Sequence, residues 1–204
     1  MISLQLRRFA EPVLLRNVPF PPGARLHELL ITGPPGSGKS TLIQRLGGWS
    51  EEGYVDLSDR QWWTSRSLTL RPRELHLLLP FQGMEKAVSV YEPHWLKQNH
   101  ALDFGRMCIP PEGRYFLSTD WRRKYVIEFL LPPVDRVLAW RRERSRRGTH
   151  PVDVEISREQ IAHQMLIYWN VAKHLHRCGL RVHLREGVDE PPLEIVDAMD
   201  YEAL

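Results

Sequence analysis

The chain has 204 residues, 42% of them apolar and 26% charged, with a formal net charge of +3. That balance is ordinary for a soluble globular protein of one compact domain, with or without insertions. No apolar run approaches the roughly 20 residues that a membrane-spanning helix needs, and two cysteines, Cys108 and Cys178, are too few for a disulfide framework.

Residues 1–25 read as an N-terminal β extension. Arg and Glu interrupt MISLQLRRFAEPVLLRN before a signal-peptide core can form, so a cytoplasmic protein is expected. Ile2–Leu6 and Pro12–Leu15 are short apolar stretches closed by Phe20-Pro21-Pro22-Gly23, the pattern of a hairpin laid against a larger sheet. Residues 26–204 then carry the main domain. His27–Thr32 reads as a strand buried on both faces, and Lys39–Leu46 carries Leu42, Ile43 and Leu46 at helical spacing until Gly47-Gly48 stops it. Tyr54–Leu57 is a short strand with Asp56 near its end.

The stretch 68–110 reads as an insertion or substrate region. Within it, Glu74–Pro80 and Ala87–Tyr91 are two strands joined around Gln82-Gly83. Tyr115–Ser118 and Tyr125–Leu131 are further strands, and Pro133 can open the helix whose apolar stripe is Val134, Val137 and Leu138. Ser157 and Gln160 form a capping box for a long helix, Arg158–Cys178, which Gly179 is placed to end. Leu180–Leu184 reads as the last strand. Strands alternating with helices imply a mostly parallel central sheet covered on both faces, a three-layer α/β fold.

Gly33-Pro34-Pro35-Gly36-Ser37-Gly38-Lys39-Ser40 fits G-x-x-x-x-G-K-[ST] at every fixed position, between the strand and helix that the motif demands. Gly36 and Gly38 leave backbone N–H groups free to converge on phosphate oxygens, and the helix start adds its positive end. Lys39 is placed to reach the β- and γ-phosphates, Ser40 to offer a hydroxyl to Mg²⁺, and Thr41 to close the loop. A nucleoside triphosphate with Mg²⁺ is therefore the expected ligand of Gly33–Thr41, ATP and Mg²⁺ being the cofactors.

Phosphoryl transfer also needs acids and cations. Asp56, at a strand end, is the candidate for orienting an acceptor. Asp59 is evenly balanced between that role and capping a helix. Asp120 is the candidate metal-side acid, equally readable as a turn residue. Trp121–Arg147 holds nine Lys or Arg against three acids, whereas Arg185–Leu204 holds seven acids and one Arg. Arg141 and Arg144, three apart on a helix, share a face on which their guanidinium forks can meet phosphate. Trp62 and Trp63 are candidates for ring stacking, with core packing the stronger reading. His174, His176, Cys178 and His183 cluster loosely, and only His174 and Cys178 share a helix face.

The order of phosphate loop, Asp-ended strand, strand–Pro-Pro–helix, Arg-rich segment, long helix and final strand resembles the nucleoside-monophosphate kinase and small-metabolite kinase group of P-loop proteins. Adenylate, shikimate and gluconate kinases belong to that group. The resemblance implies an Arg-rich lid, here residues 140–156 with Arg141, Arg142, Arg144, Arg146 and Arg147, and transfer of the γ-phosphate to a small-molecule or nucleotide acceptor. Asp56 matches the acid that handles acceptor or metal there. The opening also resembles an ABC-type ATPase, but nothing after Leu46 supports that: no L-S-G-G-Q signature occurs. A nucleotide-dependent ATPase or GTPase switch, or a nucleic-acid-binding ATPase that includes a polynucleotide 5′-kinase, stands as the alternative.

Overall fold

The computed structural model describes residues 13–18, 28–48, 55–58, 72–82, 88–89, 101–108 and 125–197. Among these the chain is α/β, with a mixed sheet of mostly parallel strands and three α-helices. The strands are β1 (Leu14–Asn17), β2 (Glu28–Thr32), β3 (Val55–Asp56), β4 (Arg73–Glu74), β5 (Leu77–Leu79), β6 (Val88–Ser89), β7 (Tyr125–Leu130), β8 (Arg181–Arg185) and β9 (Leu193–Val196). The α-helices are α1 (Lys39–Arg45), α2 (Val134–Arg146) and α3 (Arg158–Arg177).

The larger sheet has the order β1-β9-β8-β7-β2-β4. Its four strands β8, β7, β2 and β4 run parallel, and β9 turns antiparallel to β8 and to β1. β2 and β7 are central because they are apolar on both sides; Leu30, Ile31, Ile127, Phe129 and Leu130 are all fully buried. Their alternation splits the apolar residues between two faces. Ile31 and Leu130 pack with Leu42 and Ile43 of α1, while Leu30, Ile127 and Phe129 join Val137 of α2 and Ile161, Tyr168 and Leu175 of α3. The helix starting at Ser157 is capped as its spacing predicts: the Gln160 amide donates to Ser157 Oγ at 3.1 Å, and the Ser157 amide to Gln160 Oε1 at 2.9 Å.

Two expectations change. Arg181–Arg185 is not the last strand, because Leu193–Val196 returns beside it. The acid in that returning strand, Glu194, is accommodated by Arg16 at 2.8 Å and Arg181 at 2.8 Å, so a stretch dense in acids supplies a nearly buried strand. Glu74–Pro80 is not one strand: Arg73–Glu74 joins the large sheet beside β2, whereas Leu77–Leu79 joins the order β3-β5-β6 in a separate sheet. The hairpin pairing of the two inserted strands does form, as β5 and β6. At the N-terminus Leu14–Asn17 pairs with β9 at the sheet edge, and Ile2–Leu6 lies outside the described residues.

Candidate functional site

The segment after β2 bends back on itself through backbone angles that side chains resist. Gly36 and Gly38 have φ of 78° and 98°. Space forbids a side chain there as well: a Cβ on Gly36 would meet Cγ of Arg141 at 2.6 Å, and one on Gly38 would meet Val188 at 3.0 Å. The Ser37 amide donates to the Pro34 carbonyl at 3.2 Å, closing the bend, and Gly38 leads directly into α1. Ser37 Oγ is buried with no hydrogen-bond partner.

Lys39 opens α1 with its side chain 5% exposed. Its Nζ donates to the carbonyls of Gly33 at 3.0 Å and Pro34 at 3.2 Å, and lies 3.6 Å from Glu74 Oε1. Burial pushes the ammonium pKa down to about 8; Glu74 acts in the opposite sense, and Arg144 and Arg141 add to the lowering. Glu74 also accepts from Ser40 Oγ at 3.4 Å and stands 3.2 Å from His76 Nε2. Burial lowers the His76 pKa, opposed by Glu74 and assisted by Lys39. The site thus gathers an ammonium, a hydroxyl, a carboxylate and an imidazole at the end of two adjacent parallel strands.

The Lys39 shift has a consequence for stability. The folded state holds this proton less tightly than the unfolded chain, so the cost of burying the charge is present below about pH 8. It is lost as pH rises toward the ordinary lysine value, and stability rises with it. Denaturant melts of the ligand-free protein between pH 8 and 10.5 should therefore move in favour of the wild type over Lys39→Met, by at most about 3 kcal/mol. A pH-independent difference between the two proteins would show that the ammonium is not strained by burial.

These groups line a cavity of about 860 Å³. Its walls include Pro35, Gly36, Gly38, Lys39, Ser40 and Thr41 on one side, and Arg136, Trp140, Arg141, Arg144 and Arg147 of α2 and its end on the other. Gly33 and Pro34 lie beneath, presenting their carbonyls to Lys39. Val188 and Asp189 close a third side, with Asp189 ion-paired to Arg45. The volume falls within the range of small-molecule sites, and the lining is polar and cationic.

The Arg-rich segment differs from an open lid. Arg141 is buried, with Nε and Nη2 on Asp153 Oδ1 at 2.8 and 2.6 Å and Nη1 on Gln164 Oε1 at 3.1 Å. Arg144 Nη2 reaches the other oxygen of Asp153 at 2.6 Å. Arg146 and Arg147 pair with Glu143 at 3.5 and 2.9 Å on the exposed side, and Arg142 and Arg146 stand outside the cavity. Arg141 and Arg144 thus both stand beside Gly36 of the glycine-rich loop.

Asp56 ends β3, which pairs with β5 in the smaller sheet. Its side chain, like Asp59, Trp62, Trp63 and Asp120, lies outside the described residues. Glu74, read only as the start of a strand, is the acid that the fold places at Lys39 and Ser40. A charged residue leading an apolar run was its one signal. Away from the cavity, Cys178 Sγ and His174 Nε2 are 3.7 Å apart, and His174 stacks on Phe104 with centroids 4.6 Å apart. No helix among the described residues is long and apolar enough to cross a membrane. Compared with protein-family models, curated proteins and solved structures, the chain matches none.

Proposed function

We propose that this protein is a Mg²⁺·ATP-dependent phosphotransferase of the phosphate-loop class, akin to the nucleoside-monophosphate and small-metabolite kinases, acting on a small-molecule or nucleotide acceptor in the cytoplasm. The observation that carries the reading is Lys39. A buried ammonium held against two loop carbonyls, beside a glycine-rich bend and a polar cavity, is poised for an anion of high charge. A side chain at Gly36 would crowd Arg141 and one at Gly38 would crowd Val188, and a bend kept bare in this way supports the triphosphate reading.

Ser40 and Glu74 are the oxygen donors that fit Mg²⁺, a hard cation that takes few protein ligands alongside phosphate. The metal would supply neutralisation of the negative charge on the phosphate oxygens. Lys39 would hold the β- and γ-phosphates, and Arg144, beside it, would offset charge that grows on the terminal group. Arg141, already committed to Asp153 and Gln164, acts mainly by packing over Gly36.

A second reading has its own support. Trp140 is 38% exposed on the cavity wall, with the Arg136 guanidinium 5.9 Å from its ring centroid and Arg147 farther along the same wall. An aromatic platform flanked by arginines suits a single-stranded polynucleotide, which would make the acceptor a nucleic-acid 5′ end. Steep loss of oligonucleotide binding with added salt would mark this case.

Mg·ATP incubated with a panel of nucleotides, sugars, small alcohols and a 5′-hydroxyl oligonucleotide, followed by ³¹P NMR, tests the proposal. One acceptor class should give a new phosphoester resonance as the γ-phosphate signal declines. ATP consumption that never depends on an acceptor would replace transferase with hydrolase. An ATP spectrum unchanged under every condition would remove the enzymatic reading.

A further inference from the structure

Two arginines approach the glycine-rich loop, and they are not held alike. Arg141 is fixed on every side: its stem lies on Gly36, two of its nitrogens are on one oxygen of Asp153, and a third is on Gln164 of α3. Arg144, one turn along α2, gives a single guanidinium hydrogen bond, to the other oxygen of Asp153. Its Nε is buried with no partner, yet the side chain keeps 31% of its surface and lines the cavity. Its terminal nitrogen would come within 3.5 Å of a Cβ on Gly36.

The carboxylate between them is 1% exposed and belongs to the short 3₁₀ turn Pro151–Asp153, which the Asp153 amide closes on the His150 carbonyl at 3.0 Å. One oxygen is occupied by the immobile arginine, and the other sets where the second can stand. A buried carboxylate shared by two guanidiniums leaves one positive charge without an acid of its own on the cavity side, beside the Lys39 ammonium. A guanidinium anchored by one nitrogen keeps its remaining N–H groups for an anion that arrives from the cavity.

We infer that Asp153 is a positioning residue that holds the Arg144 guanidinium over the loop, where it meets the terminal phosphate of a bound triphosphate. This inference rests on the triphosphate reading above. It predicts a split between nucleotides: a diphosphate lacks the group that Arg144 addresses, so disturbing Asp153 should weaken ATP binding and spare ADP binding.

The experiment is calorimetric titration of Mg·ATP and Mg·ADP into the wild type, Asp153→Asn, Asp153→Glu and Arg144→Ala. Both Asp153 variants should lose about tenfold in ATP affinity, the scale of a charge-assisted hydrogen bond, with ADP affinity held within about twofold. Asp153→Glu placed in the Arg144→Ala background should add nothing to the ATP-over-ADP difference, because that difference passes through Arg144. ATP and ADP affinities falling together, or neither changing, would overturn the inference, since a merely structural carboxylate serves both nucleotides. Asp153→Asn leaves two arginines with reduced counter-charge, so circular dichroism is read first. Should that variant not fold, Asp153→Glu decides by the same ATP-to-ADP ratio, because it keeps the charge and moves it by one methylene. A wild type that binds neither nucleotide is a distinct result, and it removes the triphosphate reading itself.

Discussion

Replacing Lys39 with alanine should lower Mg·ATP turnover by about a thousandfold while leaving the protein folded. The ammonium is the cation bonded to the loop's carbonyls, and its arginine neighbours are engaged elsewhere: Arg141 is tied to Asp153 and Gln164, and Arg144 is anchored to Asp153. Folding should survive because the lost group is a strained one. Its burial disfavours the charge, and Glu74 retains Ser40 and His76 within 3.4 and 3.2 Å. Steady-state turnover together with a thermal melt separates the two effects. Wild-type turnover in a normally folded Lys39→Ala protein would remove the loop from the chemistry.

Glu74→Gln should lower turnover by about a hundredfold and shift its Mg²⁺ requirement to higher concentration. The substitution keeps the shape of the side chain and removes its charge. A neutral amide is a poor ligand for Mg²⁺, and Ser40 alone offers only a hydroxyl. Lys39 also loses its counter-ion, so part of the fall should appear as weaker nucleotide binding. A Mg²⁺ titration of turnover at saturating ATP isolates the metal component. Identical Mg²⁺ curves for wild type and variant would assign Glu74 to holding Lys39 and not to the metal.

Lys39 and Glu74 also mark where reading the sequence succeeds and where it stops. Local signals are reliable here. The glycines of the loop announce positive φ, the Ser157/Gln160 pair announces a helix start, and Arg141 with Arg144 announces a shared face; each depends on residues within a few positions. An Asp at a strand end, such as Asp56, reads as a crevice residue from local sequence, but which sheet receives a two-residue strand is decided by distant partners. In the fold Val55 and Asp56 pair with Leu77 and Leu78, while Arg73 and Glu74 take the place beside β2. The chain therefore brings Glu74 to Lys39 across 35 positions of sequence, with only a strand-leading charge to signal it.

Asp153 and Glu194 teach the same lesson from the side of charge. In sequence both look like solvated acids, yet each is nearly buried, because two arginines from other elements meet it. Glu128 is a third case, on the central strand β7. Burial acts to raise its pKa, but hydrogen bonds and charge from His183 and Arg185 outweigh that and hold it below the usual glutamate value. Composition registers these residues as surface charge; only the fold shows that their partners were supplied.

The account stands on phosphate capture by Gly33–Thr41, and binding without catalysis is its most direct test. Calorimetric titration of Mg·ATP into the wild type should give one site per chain, displaced by inorganic tripolyphosphate, with affinity lost by at least about tenfold in Lys39→Ala. No heat of binding in the wild type, or equal affinity in the variant, would contradict it.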